Sequence, residues 1–519
     1  MKETVRLKIW RFDPQKETHG HWQEFEVPYN KGMRALDALW YIYENIDPTL
    51  AFRFGCRAGQ CGSCAMMING KPELSCKTEL LLDEEYTLEP LPTFAITKDL
   101  AVDFAEPFEK MKGIHSDFVK VSEEASIFTM DEIKDLLEYH KCIECYNCIA
   151  ACPSVAESWN EFIGPTYMRK YAQVQFDPRN TNDVFEKALS DGLFRCTTCK
   201  ACVEACPKDI DLAHKAIEKL RSVVVKHGLG PLEGQKEFIE RIRSYGKAVT
   251  IEKQPLTGKN GQFGEYVGEG EPVIFFTGCM MDLRLQKIGK DLIEVLNNLG
   301  YQVIIPTDQV CCGSPAIRSG DFDLGIRQFK KNVEILERYG VKDVIVGCPG
   351  CGITLKDDYS RWAKELLKRS LKFRVYDLNE FIYEKVMKLP PPENPLELKV
   401  TYHDPCHLNR GQGVKQEPRD LIKFTGAEII EMKEADRCCG AGGGVRAGIR
   451  DFSRLIASRK AQYIKETQAE ALVTPCPFCI FQLKELVNNE GLDIEVVHTA
   501  TLLNRLLKQP IKKPQILKE

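Results

Sequence analysis

Twenty-two cysteines run through the 519-residue chain, and their spacings point to iron–sulfur chemistry. Cys56, Cys61, Cys64 and Cys76 follow C-x4-C-x2-C with a distant fourth member. That is the plant-type pattern for a 2Fe-2S cluster. Gly55, Gly59 and Gly62 suit a loop whose backbone must curl round the cluster and donate N–H groups to its sulfurs. A zinc loop is the alternative, but zinc sites prefer two separated C-x2-C pairs. Next, "CIECYNCIAACP" carries Cys142, Cys145, Cys148 and Cys152, and "CTTCKACVEACP" carries Cys196, Cys199, Cys202 and Cys206. Both read C-x2-C-x2-C-x3-C-P, the bacterial ferredoxin run, in which the fourth cysteine of one run ligates the other cluster. One 4Fe-4S cluster is therefore expected on Cys142, Cys145, Cys148 and Cys206. A second is expected on Cys152, Cys196, Cys199 and Cys202.

The remaining ten cysteines form a repeat. The first copy is Cys279, the pair Cys311–Cys312, then Cys348 and Cys351; the second is Cys406, the pair Cys438–Cys439, then Cys476 and Cys479. In both copies 31 residues separate the first cysteine from the pair, and 35 or 36 separate the pair from the final C-x2-C. Adjacent cysteines make a poor disulfide with one another, and five ligands exceed what one cubane needs. Matched spacing in an internal repeat implies two equivalent sites.

The elements that must position these residues can be read in outline. "VRLKIWRF" and "QEFEVPY" alternate as a hairpin, followed by a helix over 32–45. "PVIFFTGC" and "LKVTYHDPC" put each first cysteine after a strand, and "KDVIVGCPGC" and "EALVTPCPFC" put each last pair at the end of another. Helical runs such as "KDLIEVLNNLG" and "RDLIKFTG" lie between. Ligands at strand ends are where open α/β layers place their sites.

Composition agrees. The length suggests three or four domains. A net charge of −4 and a pI near 6.2 argue against nucleic acid as main partner. No apolar run approaches the ~18 residues of a membrane span, and "MKETVRLKIW" lacks a secretory apolar core. A cytoplasmic location is expected, where so many cysteines read as metal ligands rather than disulfides. "GAGGG" at 440–444 is not a G-x-G-x-x-G after a strand, so no dinucleotide site is expected here.

Two resemblances sharpen this. "WRFDPQKE", "ENIDPTLAFRFGCRAGQCGSCAMMING" and "PLPTFAITKDLAVDFAEPFEKM" make residues 4–215 resemble the iron–sulfur subunit of succinate dehydrogenase and fumarate reductase. The resemblance implies a β-grasp ferredoxin domain. Many of those relatives lack a cysteine at the position of Cys199 and hold a 3Fe-4S cluster there; Cys199 restores the ligand. Quinone-using relatives carry a tryptophan pair where Ala156 and Glu157 stand, and a histidine where Thr197 stands. Trp159 is nearby but out of register. The usual quinone site is thus dismantled. From about residue 270 the chain resembles the CCG domains of the heterodisulfide reductase B subunit, which implies that each five-cysteine set holds a noncubane 4Fe-4S cluster sharing the adjacent thiolates.

The combination resembles the thiol-driven fumarate reductases of methanogens. It implies oxidation of coenzyme M and coenzyme B thiols to their heterodisulfide. Electrons would pass through the 4Fe-4S and 2Fe-2S clusters to FAD on a separate flavoprotein subunit, which reduces fumarate to succinate. The sulfonate of coenzyme M and the phosphate of coenzyme B call for cations. Arg318, Arg410 and Arg446 are the candidates near cluster ligands, with solvated surface arginines as the alternative. His403 and His407 flank Cys406 and are read as hydrogen-bonding the loop, with iron ligation or proton transfer as the alternative. One rival reading is a succinate dehydrogenase subunit linked to quinone or a membrane acceptor, for which "VVHTATLLNRLLKQ" would be a surface helix rather than a short core helix. Another is a pure relay, like the iron–sulfur partners of flavin 2-hydroxyacid dehydrogenases, which the 2Fe-2S region does not fit.

The expected architecture is multidomain α+β and α/β. A 2Fe-2S domain covers 1–110 and a helical two-cluster 4Fe-4S domain 111–245. A linker over 246–268 leads to two repeated α/β CCG domains at 269–392 and 393–519.

Overall fold

The computed structural model describes residues 3–121, 127–252, 254–256 and 262–507. Two compact units result: one holds the chain up to Cys196 together with Lys200–Val224, the other Thr197–Cys199 and the chain from Val225 onward.

In the first unit, strand Thr4–Arg11 alternates exposed and buried residues. It pairs antiparallel with His21–Pro28 and parallel with Glu85–Glu89. Ala65–Ile68 and Lys71–Leu74 complete a five-stranded mixed sheet. Period-2 alternation sends Val5, Leu7 and Ile9 to one face, where they meet Ala35, Leu39 and Ile42 of helix Ala35–Asn45. That sheet grasping one helix is the β-grasp arrangement. The helix starts where Asp37 accepts from Arg34 N at 2.9 Å.

A two-stranded antiparallel pair, Ile96–Lys98 with Ala101–Val102, adjoins this sheet, and the other elements of the unit are helices. Pro165–Gln175 is buried along most of its length and packs on Leu212–Glu218. The two ferredoxin runs take the same path. Glu144 and Tyr146 in one, and Thr198 and Lys200 in the other, have left-handed φ between 52° and 61°. Each run ends in a one-turn helix, Asn147–Ala150 or Ala201–Glu204.

The second unit contains two open sheets. The first orders its strands Arg374–Asp377, Asp343–Val346, Glu271–Phe276, Tyr301–Ile304 and Tyr266–Val267, all parallel except the last. The second is parallel throughout: Glu428–Ile429, Lys399–Tyr402, Ala471–Val473 and Glu495–Val497. Central strands such as "VIFF" are fully buried, as sheets covered on both faces require. In both sheets the strand before the first cysteine lies beside the strand before the final C-x2-C. Three of the five cysteines of each copy therefore leave neighbouring strands at the same end. Helix Glu233–Tyr245 belongs to this unit, and Leu256, from the segment that follows, is buried in its core.

Candidate metal centres

The loop carrying Cys56 and Cys61 is exposed, whereas Cys64 and Cys76 are buried. Ala58 and Gln60 donate backbone N–H groups to Cys56 Sγ at 3.4 and 3.2 Å. These bonds, led by that of Ala58, draw the Cys56 thiol down to about 6, while burial pushes Cys76 up to about 11. Gly59 and Gly62 adopt φ of +68° and +71°, which a non-glycine residue adopts only under strain. A Cβ on Gly62 would stand 2.8 Å from Cys145 Cα. The loop thus rests directly on the first ferredoxin run, and Cys64, Cys76 and Cys145 share one apolar cluster with Leu36 and Leu91.

Cys142, Cys145, Cys148 and Cys206 line a single small cavity of about 20 Å³ with Tyr146 and Thr166. Burial pushes Cys145 up to about 12 and also raises Cys148 well above the usual thiol value, with the neighbouring sulfurs adding to it. Four converging sulfurs, those of Cys145 and Cys148 buried, become thiolates together only beside a strong cation, and bound iron supplies one. Cys152, Cys196 and Cys202 are buried in the same unit. The buried Arg221 guanidinium donates to Cys196 O at 2.7 Å. Cys199 groups with the second unit, where its thiol interacts with Cys438. Trp159 packs edge-on against Phe94 and Tyr167, with Lys110 Nζ over its ring. Ala156 and Glu157 end a short helix.

All ten cysteines of the repeat line one cavity of about 720 Å³. In the first copy the sulfurs form a chain, Cys279 to Cys311 to Cys312 to Cys351 to Cys348. The second repeats it as Cys406 to Cys438 to Cys439 to Cys479 to Cys476, with Cys439 and Cys479 sulfurs 3.4 Å apart. In each, the adjacent pair occupies the middle. Left-handed Gly313 and Gly440 follow the pairs and turn the chain away; a Cβ on Gly440 would stand 2.3 Å from Ser453 O. Cys348 and Cys476 each precede a helix that opens with proline. Such connected sulfur sets fit iron. "GAGGG" is the turn between the Cys438–Cys439 pair and helix Val445–Gly448.

The three arginines read from the sequence lie in different settings. Arg318 lines the cavity, is buried and donates to Asp358 at 2.7 Å. Arg446 lines the cavity paired with Glu485, its guanidinium over Phe481. Arg410 pairs with Asp436 at 2.8 Å and is not among the residues described as lining the cavity. Arg241, Arg284 and Arg450 also line it. Arg284 follows Cys279 by five residues, a proximity the sequence offered; Arg241 lies outside both repeats and carries none. His407 lines the cavity, its Nε2 3.1 Å from Thr198 O. His403 places Nδ1 3.2 Å from Ala435 O. Burial, then the Lys460 ammonium, draws His403 down to about 3 and keeps it neutral.

The terminal apolar helix Thr499–Leu507 is part of the core. Leu502, Leu503 and Leu506 are buried, and Thr501 and Asn504 donate to Asp291. Lys508 and Gln509, which end the motif read from the sequence, lie outside the described residues. Among the described residues, no helix is long and apolar enough to cross a membrane.

Family comparisons agree with this layout. The 2Fe-2S iron-sulfur cluster binding domain matches residues 6–109, the 4Fe-4S dicluster domain 138–210, and the cysteine-rich domain 273–356 and 400–484. The B subunit of fumarate reductase (CoM/CoB) from Methanothermobacter marburgensis is 36% identical over 96% of this chain and 99% of its own. The D subunit of the dihydromethanophenazine:CoB–CoM heterodisulfide reductase from Methanosarcina acetivorans is 31% identical over 72% of this chain and 95% of its own. A crystal structure of a hypothetical protein from Helicobacter pylori aligns over 98% of this chain and 95% of its own, with a TM-score of 0.64 at 12% identity, a likeness of fold alone.

Proposed function

This chain belongs to the family of the fumarate reductase (CoM/CoB) B subunit and is an iron–sulfur electron-transfer component of an oxidoreductase; we propose that it joins two thiols, coenzyme M and coenzyme B, into their heterodisulfide. The observation that carries this reading is the single cavity onto which both five-cysteine sets open. Forming one S–S bond releases two protons and two electrons, and fumarate takes up both pairs on becoming succinate. Bound iron–sulfur clusters supply one-electron chemistry. Two facing centres would match one-electron carriers to this two-electron step.

The chain's own residues then have definite tasks. Cys279, Cys311, Cys312, Cys348 and Cys351 would hold one noncubane 4Fe-4S cluster. Cys406, Cys438, Cys439, Cys476 and Cys479 would hold the other. The two 4Fe-4S clusters would take the ligand sets expected from the sequence, and Cys56, Cys61, Cys64 and Cys76 would hold the 2Fe-2S cluster. The cavity has a partly apolar lining that includes Phe238 and Phe478. Arg241 and Arg284 are its best anion donors. Their carboxylate partners Glu237 and Glu252 are 72% and 57% exposed and can swing into water. Arg318 and Arg446 face carboxylates that are largely buried. Exposed Cys56 and Cys61, beside Arg57 stacked on Trp40, form the face for an FAD-containing flavoprotein partner.

The test is an anaerobic assay of the complex with its flavoprotein. Fumarate-dependent loss of both thiols, one of each per succinate, supports the proposal. Succinate formation from a reduced quinone without thiol loss contradicts it.

A further inference from the structure

The two five-cysteine sets repeat in spacing, but their surroundings differ at one place. Three residues before the first cysteine, the first copy has Phe276 and the second has His403. Both are buried. Phe276 offers no donor atom. His403 is 1% exposed, and a ring nitrogen of it lies within 4.8 Å of both Cys439 Sγ and Cys479 Sγ.

The tautomer follows from its neighbour. Ala435 O can only accept, and Nδ1 is 3.2 Å from it, so Nδ1 carries the proton. Lys460 Nζ donates to the same carbonyl at 3.1 Å. Nε2 is then a bare lone pair. It is buried and has no hydrogen-bond partner among the described residues. An unmet lone pair beside two sulfurs is costly in a protein interior, since thiolates offer it no proton. A metal ion satisfies it. The hydrogen bond from the other ring nitrogen to a carbonyl is also the usual way a ligating histidine is oriented.

We infer that His403 is a nitrogen ligand of the metal centre held by Cys406, Cys438, Cys439, Cys476 and Cys479. The second centre then has mixed nitrogen and sulfur ligation, while the first remains all-thiolate. This rests on the reading that the second set holds iron, and deepens it.

The experiment uses the anaerobically purified complex, grown with 15N-histidine, and pulsed EPR of its paramagnetic states. A directly bonded imidazole nitrogen coupled to the second centre is expected. It should vanish in His403→Ala at unchanged iron content and persist in His407→Ala. A labelled wild-type complex with only the weak coupling of a hydrogen-bonded ring overturns the inference, as does a strong coupling that survives in His403→Ala. Should His403→Ala fail to assemble the centre, the wild-type and His407→Ala spectra decide alone. Iron content of wild type separates the two claims: a missing second centre overturns both, and an iron-replete centre without nitrogen overturns only this one.

Discussion

Cys438 Sγ lies 3.4 Å from Thr197 Oγ1. Thr197 occupies the position where quinone-using relatives of the N-terminal half carry a histidine. Here that position faces a cysteine of the second five-cysteine set instead. A thiolate at Cys438 would accept from the hydroxyl, and hydrogen bonds to ligand sulfur raise a cluster's potential. Thr197→Val should lower the midpoint potential of the second centre by tens of mV, on the order of one hydrogen bond to a charged group. Thr197→Ser should keep it. EPR-monitored redox titration reads the change; equal potentials in wild type and Thr197→Val would refute this role.

Arg318 lines the cavity but is tied up in a buried ion pair. Its partner Asp358 is buried, with a further pair to Arg361 at 3.0 Å. Removing Arg318 leaves buried Asp358 with only the partly exposed Arg361, so Arg318→Leu should destabilise the chain by on the order of 3 kcal/mol. The double variant Arg318→Met with Asp358→Leu should recover most of it. Thermal unfolding of the intact complex distinguishes the two, and a single variant as stable as wild type would show the pair to be dispensable.

Anion recognition should fall on other arginines. Arg284→Gln is expected to raise KM for one thiol roughly 10–100-fold, the worth of a charge-assisted hydrogen bond. Arg410→Gln, away from the cavity lining, should leave both KM values near wild type. Steady-state kinetics with each thiol varied in turn would settle which arginine serves which anion.

Asp377 caps helix Leu378–Val386, accepting from Asn379 N at 2.9 Å. Burial pushes its carboxyl from the usual 3.8 up to about 6, against the smaller opposing effect of Asn379. A raised folded pKa contributes stability that is complete below the unfolded pKa and is lost as pH rises through about 6. Asn caps as well as Asp without the buried charge. Asp377→Asn should therefore match wild type near pH 4, gain on it up to pH 6–7, and lead above that by roughly 2–3 kcal/mol. A pH-independent difference in unfolding midpoint would reject this.

Much of this architecture was legible in cysteine spacing, because ligand sets must recur at fixed intervals whatever packs around them. The strands ahead of Cys279, Cys348, Cys406 and Cys476 were equally plain, since parallel strands buried on both faces read as unbroken apolar runs. The second strand of the latter half was less so, and only Glu428–Ile429 pairs there. The arginines were harder. Arg318 and Arg410 sit near ligands in sequence, yet their carboxylate partners Asp358 and Asp436 come from elsewhere in the chain. Arg241 reaches the cavity from a helix outside both repeats. Tertiary pairing, invisible to spacing, decides which cation is available. The role of helix Thr499–Leu507 was also open, until its contact with Asp291 placed it in the core.

The central claim is that the thiol pair delivers electrons at the ten-cysteine cavity. The most direct measurement is EPR of the oxidised, anaerobic complex mixed with coenzyme M, with coenzyme B, or with both, in the absence of fumarate. The account predicts reduced-cluster signals only when both thiols are present, since one S–S bond needs two sulfurs. Reduction by a quinol, with no response to the thiol pair, would contradict it.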